Sequence, residues 1–235
     1  MSNQYGHAQI VTDGLAFSVD AGDATSYPGS GTTWYDLSKN GYDGTIDGAT
    51  FSTDGNGSLD FNGSSNDVDL GSQKVLKYDG GWTIESWVKA DAVSGGPYNF
   101  TGGSYPDDVG WYWCVLSSKL AIWNISPGVW KYGSTTLSTG VWMHCVCVSE
   151  NAGGTSYQFY LNGVAEGGSH ASYVFYGGGD DKSLELQFIG SGHGAGGTWP
   201  RLWNGKYAIN RCYTQALTPD QIKQNFNAQR SRFGI

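Results

Sequence analysis

The chain predicts an all-β protein, an antiparallel β-sandwich with one short C-terminal helix. Three observations carry this reading. Short apolar runs of strand length recur along the 235 residues, divided by Gly, Asn, Asp and Ser clusters. Glycine supplies 37 residues and aromatics 14%, a mix suited to many strands joined by tight turns, with Trp and Tyr filling the core. A strong helix-start signal stands near the C-terminus.

Taken in order, residues 14–20 alternate and place Leu15, Phe17 and Val19 on one face. A polar loop follows over 21–33, then a short strand over 58–63 that ends in a turn. Residues 82–89 read as a strong strand, with Trp82, Ile84 and Val88 facing inward. Residues 111–116 and 120–125 form a hairpin through Ser117, Ser118 and Lys119. The run 142–149 is apolar on both faces, which marks a central strand. Residues 157–161 run into Asn162-Gly163, the strongest short hairpin signal. Strands over 184–189 and 206–213 bring the expected number to roughly eleven to thirteen. Thr218, Pro219 and Gln221 then supply an N-cap, a proline in the first turn and a capping-box partner. Ile222 and Phe226 share one face of that helix, which fades at about Gln229.

With a net charge of −8, the chain is a poor partner for nucleic acid, because phosphate binding needs clustered Lys and Arg. No apolar run reaches the roughly 18 residues of a membrane span. Residues 1–7 carry no basic start or apolar stretch, so folding in a cytoplasm is expected. Cys145 and Cys147 lie two apart on one strand, where disulfide geometry is rare. With Cys114 and Cys212 they read as buried, reduced small hydrophobes.

Catalysis finds little support. A retaining glycosidase needs two carboxyl groups about 5–5.5 Å apart. None of the four glutamates, Glu85, Glu150, Glu166 and Glu185, has an acidic partner two or four residues further on. Ser191 sits among glycines without a following helix, so it forms no nucleophile elbow. No enzyme activity is expected.

Several segments resemble the concanavalin A-like lectin/glucanase superfamily, the laminin-G-like jelly roll, and more narrowly its form in tailed-phage virion proteins. They are 10–15, Asp20-Ala21-Gly22, 26–34 and 36–41, followed by 59–63, 82–88 and 160–163. The tail adds Asn204-Gly205-Lys206, 215–218 and 224–234. The resemblance covers almost the whole chain and implies one laminin-G-like domain over residues 1–235, with short terminal docking arms. It implies a non-catalytic virion structural protein, a capsid decoration, fibre or tail-associated module, made in a bacterial cytoplasm. Its partners would be other virion proteins, with a homo-oligomer left open. The alternative is an adhesion module that recognises host-surface glycans, with calcium as the one cofactor to consider.

Candidate contacts follow. Glycan recognition wants loop aromatics beside polar groups, and Tyr98, Phe100, Tyr105 and Trp199 fit. Trp87, Trp113, Trp123, Trp142 and Trp203 stand in strands and are assigned to the core. Arg230, Arg232 and Phe233 belong to the C-terminal arm, where the arginines suit an acidic partner. For calcium, Asp36, Asn40 and Asp43 offer oxygens in one loop, against the plainer reading of turn chemistry.

Overall fold

The structure, a computed structural model, describes residues 9–77, 80–103, 111–124, 129–150, 157–167, 183–192 and 202–235. Two antiparallel sheets stack face to face. The first runs β14 (Val164–Ala165), β13 (Tyr157–Leu161), β12 (Trp142–Ser149), β7 (Trp82–Ala90), β16 (Asn204–Tyr213), β5 (Ser58–Asn62) and β4 (Thr50–Ser52). β1 (Leu15–Asp20) also pairs on β16. The second runs β11 (Val129–Tyr132), β10 (Lys119–Asn124), β9 (Trp111–Leu116), β8 (Tyr98–Gly103), β15 (Ser183–Ile189), β6 (Asp67–Lys77), β3 (Gly44–Asp47) and β2 (Thr33–Trp34).

The antiparallel sandwich with its C-terminal helix is as the sequence predicts, but the described residues hold more strands than expected. β6 and β8 escape a periodicity reading for physical reasons. β6 is interrupted by Gly71 at φ 64° and by register shifts against β15. β8 carries a bulge between Asn99 and Thr101, which breaks the alternation on which strand recognition depends. The two hairpin turns are built as their residues require. Ser117-Ser118 and Asn162-Gly163 each place both central residues at positive φ, the backbone of a type I′ turn.

The core between the sheets is aromatic. Phe100 on β8 packs at 5.5 Å from Trp113, 4.9 Å from Trp203 and 6.5 Å from Tyr207. Trp113 meets Phe159 of the opposite sheet at 5.3 Å. All four cysteines are buried and free.

The first sheet is covered on its outer face as well. Helix α1 (Pro219–Gln229) starts on the capping box of Thr218 and Gln221. It lays Ile222 and Phe226 on that face, and a 3-10 turn over Arg230–Phe233 follows. Phe233 stacks on Trp87 at 4.2 Å and 15°, and Phe226 stacks on the same indole at 5.9 Å and 4°. Gly55, at φ 63°, makes room for this tail, since a Cβ there would lie 2.6 Å from the Trp142 ring. Arg232 fastens the end through Nη1, which donates to both carboxylate oxygens of Asp20 at 2.7 and 2.8 Å. It also donates to the carbonyls of Gly55 and Gly57.

Beneath α1 lies a fully buried carboxylate. Glu85 on β7 accepts from Arg211 Nη1 of β16 at 2.8 Å and from Asn225 Nδ2 of the helix at 2.7 Å. His144 Nε2 of β12 lies 3.2 Å from the same Oε1 that Arg211 reaches. Asn225 also donates to Tyr213 Oη and accepts from the Val11 amide, which ties the N-terminal segment to the same point. Burial pushes the Glu85 carboxyl up, but the Arg211 charge, the neighbouring His144 ring and the hydrogen bond from Asn225 outweigh it and hold it at about 2. Its ordinary value is 4.5. The folded state therefore gains stability from Glu85 above pH 4.5 and loses it as pH falls toward 2.

Two consequences are measurable. Between pH 4.5 and pH 2 the loss associated with Glu85 amounts to about 3 kcal/mol. Urea titrations across that window should show Glu85→Gln, though weaker at neutral pH, losing less stability on acidification than the native chain. Parallel pH curves would refute the assignment. Phe233→Ala should cost about 3–4 kcal/mol at neutral pH, as loss of a buried aromatic does. An unchanged urea midpoint would mean that the tail contributes nothing.

Candidate carbohydrate-binding face

The two sheets treat their outer faces differently. Side chains of the first sheet that point away from the core disappear under the helix and the N-terminal segment. On the second sheet, among the described residues, no helix lies across the outer face. Register shows what that face presents. Trp113, Leu120 and Ile122 point into the core, so their neighbours Tyr112, Ala121 and Trp123 point out. Trp123 of β10 pairs directly with Trp130 of β11, and Ala121 pairs with Tyr132. Trp123, Trp130 and Tyr132 thus share one face at the sheet edge, and all three are partly exposed.

Their rings form a continuous patch. The Trp123 and Trp130 centroids are 4.9 Å apart with planes at 39°, and Trp130 and Tyr132 are 6.4 Å apart at 30°. Burial raises the pKa of Tyr132, with a smaller contribution from Cys114, so the phenol keeps its proton and can donate. Ala121 and Cys114 border the patch on the same face and Tyr112 lies opposite Trp123, but all three are buried, so the exposed surface is confined to the edge. Further along, Gly192 crosses the face so closely that a Cβ there would meet both the Asn99 amide and the Tyr112 ring. Such a platform offers flat, weakly polar surface, the kind that the C–H face of a sugar ring covers well.

Of the residues expected to touch a ligand, the two that are described, Tyr98 and Phe100, are placed elsewhere. Phe100 is fully buried between the sheets, because the β8 bulge turns it inward with Thr101. Tyr98 packs against the core, and its hydroxyl donates to the Ser94 carbonyl at 3.2 Å. Tyr105 and Trp199 lie outside the described residues, as do residues 1–8 of the N-terminal arm. The C-terminal residues are not a free arm. Phe233 is 6% exposed in its stack on Trp87, and Arg232 is spent on Asp20. Only Arg230 lies open, with its Nε on the Ile235 carbonyl at 2.7 Å. Of the strand tryptophans assigned to the core, Trp87, Trp113, Trp142 and Trp203 are buried there and Trp123 is not. The signal that could have found the platform is the i, i+2 pair Trp130 and Tyr132, too short a run to read as a strand beside Pro127 and Gly128.

A two-sheet antiparallel sandwich closed by a short C-terminal helix defines an all-β jelly-roll class of protein. Residues 62–223 match the family described as the concanavalin A-like lectin/glucanases superfamily, and the chain belongs to it. Comparison with curated protein sequences finds no match. Among solved structures the fold is similar to domain 4 of AbnA, a GH43 extracellular arabinanase of Geobacillus stearothermophilus solved in complex with arabinotriose. That alignment has TM-score 0.66 and 17% identity, covering 90% of this chain and 97% of that one. It is also similar to Trypanosoma rangeli sialidase, with TM-score 0.63, 14% identity, and 95% of this chain on 34% of that one. A third is the binding domain of Paraclostridial Mosquitocidal Protein 1, with TM-score 0.64, 14% identity, and 92% on 52%. At these identities the likeness concerns the fold.

The superfamily brings the calcium expectation back to Asp36, Asn40 and Asp43. These three do come together, but as a hydrogen-bonded turn. Asp36 Oδ1 accepts from the Ser18 and Ser38 amides, and its Oδ2 accepts from Ser38 Oγ and the Tyr42 amide. Asp43 accepts from the Asp36 amide, and Asn40 donates to the Ala16 carbonyl. A hard cation needs several free oxygens, and here donors occupy both Asp36 oxygens and Asp43 Oδ1. Among the described residues no group of three or more His, Cys, Asp or Glu is placed to hold a metal ion. Asp36→Ala should therefore cost about 1–3 kcal/mol equally with and without calcium. A cost that appears only when calcium is present would make Asp36 a ligand.

Proposed function

We propose that this chain is a non-catalytic carbohydrate-binding module that takes its ligand on the outer face of the second sheet. The observation that carries the reading is the partly exposed patch of Trp123, Trp130 and Tyr132 at the β10–β11 edge of the second sheet. The fold of an arabinanase domain solved with arabinotriose supports the same reading. Glu85, a strand carboxylate that could suggest hydrolysis, is ion-paired beneath a helix and closed to substrate, which favours binding without chemistry. None of the similar structures named above is a virion protein, and the C-terminal residues expected to reach virion partners fold back on the sandwich. The glycan reading therefore stands ahead of the virion one.

The full chain on a broad glycan array is expected to show saturable binding. Trp123→Ala and Trp130→Ala should each weaken it by about tenfold, the effect of one stacking ring, while the urea midpoint moves by less than the Phe233→Ala variant does. Binding that survives loss of both indoles would move the site elsewhere.

A further inference from the structure

Asparagine followed by glycine is the pair most open to a slow backbone reaction, because no Cβ shields the glycine nitrogen as it attacks the asparagine side chain. The sequence holds five such steps, at Asn40, Asn56, Asn62, Asn162 and Asn204. The attack needs a side-chain amide that is free to turn, and at four of the steps the structure holds that amide or the glycine after it. Asn40 Nδ2 donates to the Ala16 carbonyl at 2.7 Å and to Ser38 Oγ at 3.2 Å. Asn62 Oδ1 accepts from the Ser64 and Ser65 amides, each at 2.9 Å. Asn162 Oδ1 accepts from the His144 amide at 3.0 Å, and Gly163 lies against the Phe226 ring. Asn204 and Gly205 open β16, where Gly205 is paired to β5 and β7 at once.

Asn56 differs. It is exposed, and among the described residues its side chain takes part in no hydrogen bond. It ends the 3-10 turn Asp54–Asn56, a helix type whose hydrogen bonds are weak. Gly55, Asn56 and Gly57 follow one another at φ 63°, 53° and 115°, a backbone whose cost falls on the one residue of the three that has a Cβ. The step also stands at a sensitive place. The carbonyls on either side of it, those of Gly55 and Gly57, accept from Arg232 Nε and Nη2 at 2.6 and 2.8 Å. Gly57 is packed so closely that a Cβ there would lie 2.5 Å from Gly22 Cα.

We propose that Asn56–Gly57 is a site of spontaneous deamidation whose isoaspartyl product unfastens the C-terminal segment. The Gly57 nitrogen gives up its proton to hydroxide and bonds to Asn56 Cγ, and the side-chain nitrogen leaves as ammonia. Water then opens the cyclic imide at either carbonyl, giving aspartate or isoaspartate. Isoaspartate adds one methylene to the main chain between the two carbonyls that Arg232 grips, beside a glycine with no room to shift.

Ageing the full chain at mildly alkaline pH tests this, followed by peptide mapping with mass spectrometry, urea titration and brief trypsin digestion. Asn56 should convert several-fold faster than each of the other four steps, gaining the mass of an amide-to-acid exchange, with isoaspartate among the products. As isoaspartate accumulates, the urea midpoint should fall and trypsin should cut faster after Arg232. Asn56→Gln, whose longer side chain closes the ring poorly, should hold its own starting midpoint over the same period. Freshly prepared Asn56→Asp carries the charge without the added methylene and should keep a midpoint close to the native one. Conversion led by another asparagine, or no conversion at all, overturns the site. Unchanged midpoint and trypsin cleavage in protein converted at Asn56 overturn its effect on the C-terminal segment. A fresh Asn56→Asp chain as weak as the isoaspartyl one assigns the effect to charge and overturns the main-chain argument.

Discussion

The Glu85 carboxylate is the constraint around which the first sheet is organised. A fully buried anion is tolerable only when charge and hydrogen bonds compensate it. Here the compensation comes from three separate elements: Arg211 on β16, His144 on β12 and Asn225 on α1. Removing one partner of such a group typically costs about 3–5 kcal/mol, because the charge left behind cannot reach water. Asn225 thus does for the helix what a register residue does for a strand. The helix must sit where its amide meets Glu85, and that position also delivers Phe226 and Phe233 onto Trp87.

From that fixed helix follows the asymmetry of the sandwich. A sheet whose outer face is apolar has to be covered, and the first sheet carries Trp87, Val146, Val148, Ala208 and Ile209 outward. Their cover is built into the chain. On the second sheet the rings at the β10–β11 edge stay partly exposed. Large aromatic surface left beside water is informative in a way that a single exposed Leu is not, since it marks contact sites more often than accidents of packing.

How far this was legible in the sequence depends on whether a feature is local. The capping box at Thr218, the I′ turn at Asn162-Gly163 and the two-faced apolar run of β12 are each set by adjacent residues, and each is found where those residues put it. β8 was hidden because a bulge inverts its alternation, so Phe100 reads as a loop aromatic while it fills the core. The C-terminal residues misled for the opposite reason. Arg232 and Phe233 carry no local sign of their partners, since Asp20 and Trp87 stand far away in the chain. The Glu85 cluster is equally non-local, with partners up to 140 positions distant.

The aromatic platform shows the same limit most sharply. Trp123 and Trp130 are seven residues apart, and nothing in their spacing says whether a strand turns them inward or outward. Parity decides it, and parity is set by which alternate set holds the core: Leu120 and Ile122 on β10, with Lys131 beside them on β11. A lysine on the inner side of a strand is what a pattern reading would reject, because it argues for the opposite facing. Edge position resolves the conflict. At the rim of a sandwich a long aliphatic stem can pack along the core side, so Lys131 stays 5% exposed there while Trp123 and Trp130 turn to the other side, partly exposed.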